Sequence, residues 1–313
     1  MRRNWAVRIL VLLASLSMML GGFSLMSARK PYWSGSEIPG EITTPSQMSG
    51  SARNILVAAL TERDGAALAE MAVLINVDLE SGDIGAMYIP GETLVGENAV
   101  RYGRLSGAFN WGTENVPEGG AAALAECVST AFLIPVDNYL VFDMALLPEL
   151  TERLGGVRAT LEQDVTTDDG TILEKGDHIF GADEVRRYVM SQGELDPAAQ
   201  NLLRSGFMEG LVRAALGMPS REAASVAKGI KNRLDTDISL RDHWKLSKSV
   251  FGKSSSHIKY FLLPGISVPD YGSSRLTVWS VRRTEAAALI NERLRAHTEH
   301  VLAEDMSVPE ITA

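Results

Sequence analysis

Residues 54–90 read NILVAALTERDGAALAEMAVLINVDLESGDIGAMYIP. Within them, Asn54-Ile-Leu-Val-Ala-Ala-Leu60 is a short apolar run ending in charged residues, the pattern of a strand buried on both faces. Met71-Ala-Val-Leu-Ile-Asn-Val77 repeats it. The Ser-Gly-containing turn after it leads into Ile84-Gly-Ala-Met-Tyr-Ile89, and two apolar runs joined this way read as a hairpin. A strand-rich start of this kind sets up a sheet that later helices must cover.

Toward the C-terminus, Leu124, Cys127, Val128, Ala131 and Phe132 recur at helical spacing. Pro135–Phe142 reads as the next strand, and Met144–Leu154 as a helix stopped by Gly155-Gly156. Val157–Leu161 and the turn Asp168-Asp-Gly170 suggest a further strand and hairpin, followed by a helix over Gly181–Gln192. Asp196-Pro197 supplies an N-cap and a first-turn proline, opening a helix with Leu203, Phe207, Leu211 and Ala214 on one face. Helices also fit Arg221–Leu234 and Glu285–His297, and short strands Tyr260–Leu263 and Ser274–Trp279. Strands interleaved with helices and no long break predict one α/β domain over residues 53–300, with 301–313 as a tail.

Toward the N-terminus, Ile9–Ala28 carries no charge and is preceded by Arg2, Arg3 and Arg8. Twenty helical residues span roughly 30 Å, the hydrocarbon thickness of a bilayer. The stretch predicts one transmembrane signal anchor at 9–28, with residues 1–8 cytoplasmic and the body exported. A cleaved signal peptide is the rival reading, because Gly21-Gly22 and Ser27-Ala28 are small. Residues 29–52 hold 13 Pro, Gly, Ser or Thr, the composition of an extracytoplasmic tether.

The 313-residue chain is 45% apolar and 22% charged, which excludes collagen-like and wholly disordered classes. From Pro31 onward it holds 25 Lys and Arg against 39 Asp and Glu, a net charge of −14. Such a body is repelled by polyanions, so no nucleic-acid partner is expected. The single cysteine, Cys127, can neither bridge within the chain nor build a thiolate metal site, and its spacing marks it as a small core residue. The five histidines have no paired spacing. Gly119-Gly120 before a helix lacks the Lys-Ser/Thr continuation of a phosphate cradle, so a plain turn is expected there.

In order and spacing, several segments together resemble the LytR-CpsA-Psr family, whose domain is also called the cell envelope-related transcriptional attenuator domain. The carriers are NILVAALTER (54–63), AEMAVLINVD (69–78), YIPGET (88–93), RLSGAFNWG (104–112), IPVDNYLVFDMALLPELTERLGGV (134–157), LEKGDHIFGADEVRRYV (173–189) and LLPG (262–265). The resemblance implies a single α/β/α sheet domain outside a bacterial membrane, holding a polyprenyl chain in an apolar tunnel. It further implies a Mg²⁺-dependent phosphotransferase that moves a polyprenyl-pyrophosphate-linked glycopolymer, such as teichoic acid or capsule, onto peptidoglycan. That chemistry asks for carboxylates on the metal and arginines forked onto a diphosphate.

Carried over by position, the resemblance implies Arg63, Glu70 and Glu92 as catalytic residues and Arg63, Arg104 and Arg204 as phosphate contacts. Glu70 and neighbouring Glu62 become candidate metal ligands, and Phe207, Leu211 and Val212 candidate walls of the lipid pocket. The chain also departs from the pattern. Thr61 stands for an aspartate, Gly91 for an arginine, and Met190 and Gln192 for an arginine pair. Each charge-assisted bond to phosphate contributes roughly 1.5–3 kcal/mol. Losing three costs on the order of 4–9 kcal/mol, about 10³ to 10⁶ in rate. Arg101, Arg186 and Arg187 are the other cations that could compensate, and the alternative reading is a non-catalytic module that binds polyprenyl lipid or glycopolymer.

Overall fold

A computed structural model describes residues 52–95, 103–191, 196–217, 226, 229–238, 257–272, 276–294 and 300–311. The stretch 9–28 expected to cross a membrane, nearly all of the expected tether, Arg101 and Gln192 lie outside them, as does most of the helix expected over 221–234. Among the described residues no helix is long and apolar enough to cross a membrane.

The opening stretch forms three strands: β1 (Ala52–Arg63), β2 (Ala66–Asp78) and β3 (Ile84–Pro90). β1 pairs antiparallel with β2 across Asp64-Gly65, both at positive φ (54° and 78°), and β2 pairs antiparallel with β3. Asp-Gly supplies the left-handed backbone that a two-residue hairpin turn needs. The β1–β2 hairpin is thus a feature that the reading of separate apolar runs did not contain, although its signal is present in the sequence.

Six strands make the main sheet, in the order β10-β3-β2-β1-β4-β9, with β4 (Asn138–Asp143), β9 (Leu234–Thr236) and β10 (Ile258–Leu262). β10 runs parallel to β3, so the sheet is mixed. Every residue of β3 is buried, as is every residue of β2 from Ala69 to Leu74. Consecutive buried residues in a strand mean that both faces of the sheet are covered.

The described residues fall into two compact units. One draws on the described residues within 52–141, 235–238 and 258–311, the other on those within 142–234 together with His257. In the first, α1 (Ala108–Asn115) packs on β2 and on α2 (Gly120–Phe132), and α6 (Arg283–Arg293) packs on β3. The α1–α2 contact explains Gly119-Gly120. A β-carbon on Gly120 would stand 2.4 Å from the Phe109 carbonyl oxygen, and Gly119 has φ 87°, so the pair serves helix packing and a turn. A buried polar network ties the strands: Asn54 donates to the Pro135 carbonyl (2.7 Å) and accepts from the Asn76 amide (2.8 Å). The hairpin β11 (Gly265–Tyr271) and β12 (Leu276–Val281) completes this unit.

Residues 301–311, read as a tail, are packed into the same unit, with Val301, Met306 and Val308 at most 3% exposed. Their apolar spacing is too irregular for a periodicity argument to find.

In the second unit, α3 (Leu147–Arg153) ends at Gly155 and Gly156, both at positive φ, as the sequence predicts. β5 (Val157–Leu161) pairs with β8 (Gly176–Phe180), and β6 (Val165–Thr166) with β7 (Ile172–Leu173). The helix expected over 181–192 is instead a short α4 (Ala182–Glu184) running into a π turn, Val185–Val189. α5 (Pro197–Gly217) begins where Asp196 caps it, its carboxylate accepting from the Ala199 N–H at 3.1 Å. α5 lies against β5 through Gly206 and Gly210: a β-carbon on Gly210 would meet the Arg158 carbonyl oxygen at 2.0 Å.

Candidate functional site

The tip of the β1–β2 hairpin carries Arg63 and Glu70. In register, Ala59 faces Met71 and Leu60 faces Ala69, so Glu70 is the extra residue of a β-bulge. A bulge re-aims side chains, and here the Glu70 carboxylate meets the Arg63 guanidinium at 3.4 Å. The Arg63 side chain is 44% exposed and that of Glu70 10%, so the carboxylate is the buried anchor and the guanidinium the part that reaches solvent. Glu62 is exposed and adjacent to Arg63 on an extended strand. Successive strand side chains point to opposite faces, so Glu62 is not gathered onto the face of Arg63.

After β3 the chain turns through Gly91, Glu92 and Thr93. The Thr93 N–H and hydroxyl both donate to the Pro90 carbonyl (3.0 and 2.6 Å), fixing a tight turn. A one-turn 3₁₀ helix, Leu105–Gly107, docks on it: Leu105 N donates to Thr93 O and Ser106 N to Gly91 O, each at 2.8 Å. From the other side β12 pairs with it, Trp279 N donating to Glu92 O (2.9 Å) and Leu94 N to Trp279 O (3.1 Å). Arg104 stands just before the 3₁₀ turn and donates from Nη1 to the Thr277 carbonyl of β12 at 3.3 Å. Gly91 in turn lies against the backbone of the Glu70 bulge. The structure therefore gathers four of the residues singled out in the sequence: Arg63, Glu70, Glu92 and Arg104. Their formal charges cancel, a poor match to the excess of cations that a diphosphate clamp requires.

Two positioning features here escaped sequence reasoning. Trp279 donates its indole N–H to the Leu263 carbonyl (3.2 Å), and Gly265 leaves room for that ring, since a β-carbon there would come 2.3 Å from the indole nitrogen. The LLPG segment, 262–265, is thus a seat for the strand that holds Glu92 and Arg104. Only an aromatic two strands away in sequence hinted at it.

The remaining candidates belong to the other unit. Arg204 is 1% exposed and spends Nε and Nη2 on the main-chain carbonyls of Val189 and Ser191 (3.1 and 3.2 Å). The Gln200 side-chain amide donates to the same Ser191 carbonyl. Arg204 and Gln200 therefore hold the chain leaving the π turn, just after Met190. Arg186 and Arg187 are exposed, Arg186 paired with Asp183 at 2.8 Å and Arg187 stacked 5.7 Å from the Tyr188 ring centre. Phe207 is fully buried edge-on against Phe180 (6.2 Å between ring centres), whereas Leu211 and Val212 are half-buried.

Among the described residues no three His, Cys, Asp or Glu side chains converge to hold a metal. A resident cage is not what Mg²⁺ usually has. It binds through one or two carboxylates plus substrate phosphates, and the largely buried Glu70 carboxylate fits that partial role.

A mixed sheet covered on both faces, with a bulged hairpin beside a strand-end turn, makes this a mixed α/β fold. The model of the LytR_cpsA_psr family matches residues 34–294, and the chain belongs to that family. Among solved structures it is similar to B. subtilis TagV (TM-score 0.59, 16% identity, 79% of this chain and 98% of that one). It is also similar to TagT bound to LIIa-WTA (TM-score 0.60, 15% identity, 92% and 100%) and to a transcriptional regulator from Enterococcus faecalis (0.57, 16%, 82% and 91%). At these identities the likeness is one of fold. No curated protein matches the sequence.

Proposed function

We propose that this chain is a membrane-anchored, extracytoplasmic protein that takes a polyprenyl-pyrophosphate-linked glycopolymer and transfers it to peptidoglycan, with a weakened arginine clamp. The family membership over residues 34–294 supports the substrate class, as does the similarity to TagT bound to LIIa-WTA. The observation that carries the reading is the Arg63–Glu70 pair held on the β-bulge, next to the turn of Glu92 and Arg104. Glu70 with the substrate's own phosphates would hold Mg²⁺, which when bound supplies charge neutralisation on the diphosphate. Arg63 and Arg104 contact phosphate, while Arg204, engaged with two carbonyls, shapes the chain around Ser191. The anchor is the 9–28 stretch, uncleaved, which puts the protein in the cell membrane as a single-pass protein.

The test is Mg²⁺-dependent release of the polyprenyl phosphate from a polyprenyl-diphosphate glycopolymer, with peptidoglycan as acceptor. The expected turnover is about 10³-fold or more below that of a family member with all motif arginines. No turnover above a buffer blank sinks the transferase reading. A second reading, a binding module without catalysis, is favoured by Gly91, which leaves no room for the expected arginine. Stoichiometric polyprenyl phosphate that co-purifies and is never consumed is its signature.

A further inference from the structure

Residues 300–311 lie beyond the stretch that the family model matches, yet they are bound into the unit that carries Glu92 and Arg104. The Asn291 side chain of α6 satisfies both polar groups of Val301, donating to its carbonyl (2.8 Å) and accepting from its N–H (2.7 Å). Ser307 donates to the Thr130 carbonyl at the end of α2 (3.3 Å), and Glu310 pairs with Arg283 (3.4 Å). The last contact falls on β12: Ile311 N donates to the hydroxyl of Ser280 at 2.7 Å, and Ser280 is 1% exposed. Its neighbour Trp279 bonds the backbone of Glu92 and Leu94, and Thr277 accepts from Arg104. β12 thus touches both the C-terminal segment and the turn of the candidate site.

We propose that residues 300–311 form a positioning strap that holds β12 and, through it, sets the Glu92–Arg104 turn, with Ser280 and Asn291 as its positioning residues. The mechanical claim stands on the hydrogen bonds alone, and its effect on ligand affinity rests on the function proposed above. Local opening of such a segment reports as amide exchange faster than that of the core.

The experiment compares the full chain with a Ser280→Ala, Asn291→Ala double variant and with a chain ending at residue 299. Should the shortened chain fail to fold, the double variant decides. Amide exchange at Val301 and Ile311 is expected to rise, and with it exchange at Leu94, Leu105 and Trp279, by about tenfold or more, while Leu56 and Leu74 keep their protection. Wild-type protection at Leu94, Leu105 and Trp279 alongside a loosened Val301 overturns the strap, and so does a uniform rise across the whole chain. Inorganic pyrophosphate binding gives the second readout: several-fold weakening in the double variant, with unchanged β1–β2 exchange, supports the coupling to the site, and unchanged affinity overturns it. A full chain that binds no pyrophosphate counts against the proposed function, while exchange still decides the strap.

Discussion

Gly91 lies directly against the backbone of Glu70: a β-carbon on Gly91 would stand 2.9 Å from the Glu70 carbonyl oxygen and 2.6 Å from that of Ala69. The obstacle is main chain, which cannot swing aside as a side-chain end can. The glycine where the family resemblance expects an arginine is therefore tied to the bulge that aims Glu70. Gly91→Arg should not restore the clamp. Both Gly91→Ala and Gly91→Arg are expected to lose about 1–3 kcal/mol of stability, read as a lower urea midpoint, and a gain of activity in Gly91→Arg would refute this account.

The two glycines of α5 make a paired comparison. Alanine at Gly210 gains up to about 1 kcal/mol of helix propensity but drives its β-carbon into the Arg158 carbonyl, 2.0 Å away. Net destabilisation of about 1–2 kcal/mol is expected. At Gly206 the nearest atom is the Thr160 carbonyl oxygen at 3.1 Å, so Gly206→Ala should stay within about 0.5 kcal/mol of wild type. Equal denaturation midpoints for the two variants would contradict the packing described.

Arg63 separates function from stability. Its ion pair with Glu70 is partly solvated, so Arg63→Ala should cost under about 1 kcal/mol of folding free energy. As a phosphate contact it should cost far more in binding, roughly tenfold to a hundredfold in pyrophosphate affinity. Arg63→Lys keeps the charge and loses the fork, so an intermediate loss is expected by calorimetry.

Asp169 gives a pH signature. The Thr167 hydroxyl donates to its carboxylate at 2.6 Å and the Thr171 N–H at 3.1 Å, and these bonds hold its pKa at about 2. Because the folded value lies below the unfolded one, near 3.9, the turn's contribution is complete above about pH 4. It is lost as pH falls through about 2. The Thr171 amide resonance should titrate with that midpoint, and a midpoint near 4 would mean that the turn is open in solution.

Cys127 is fully buried in α2, and burial pushes its thiol far above the ordinary range. The thiolate is the reactive form. A disulfide-exchange reagent at pH 8 should therefore leave the folded protein unlabelled, with stoichiometric reaction only in denaturant. Rapid labelling under native conditions would place Cys127 at the surface.

How much was legible follows the reach of each signal. The runs 54–60, 71–77 and 84–89, the glycine stop after α3 and the Asp196 cap are local, and each lies where its pattern puts it. The close approaches at Gly91, Gly206, Gly210 and Gly265 were not legible, because what each glycine touches lies on another element of the fold. The π turn over Val185–Val189 hid inside an ordinary helical pattern, since one wide turn changes no residue type. In the candidate site, Arg63, Glu70, Glu92 and Arg104 were reached through family-like segment order. The structure brings their backbones together through hydrogen bonds that no spacing rule encodes.

Composition, segment order and apolar runs act within a few residues of each other, and they were enough for the acidic body, the family and five of the six main-sheet strands, β9 being the exception. Tertiary structure alone decided that Glu70 sits on a bulge facing Arg63, that Arg204 is committed to the carbonyls of Val189 and Ser191, and that 301–311 belong to the fold. Those outcomes depend on which main-chain groups meet across the molecule. Such meetings are fixed by the packing of the whole chain, not by any segment of it.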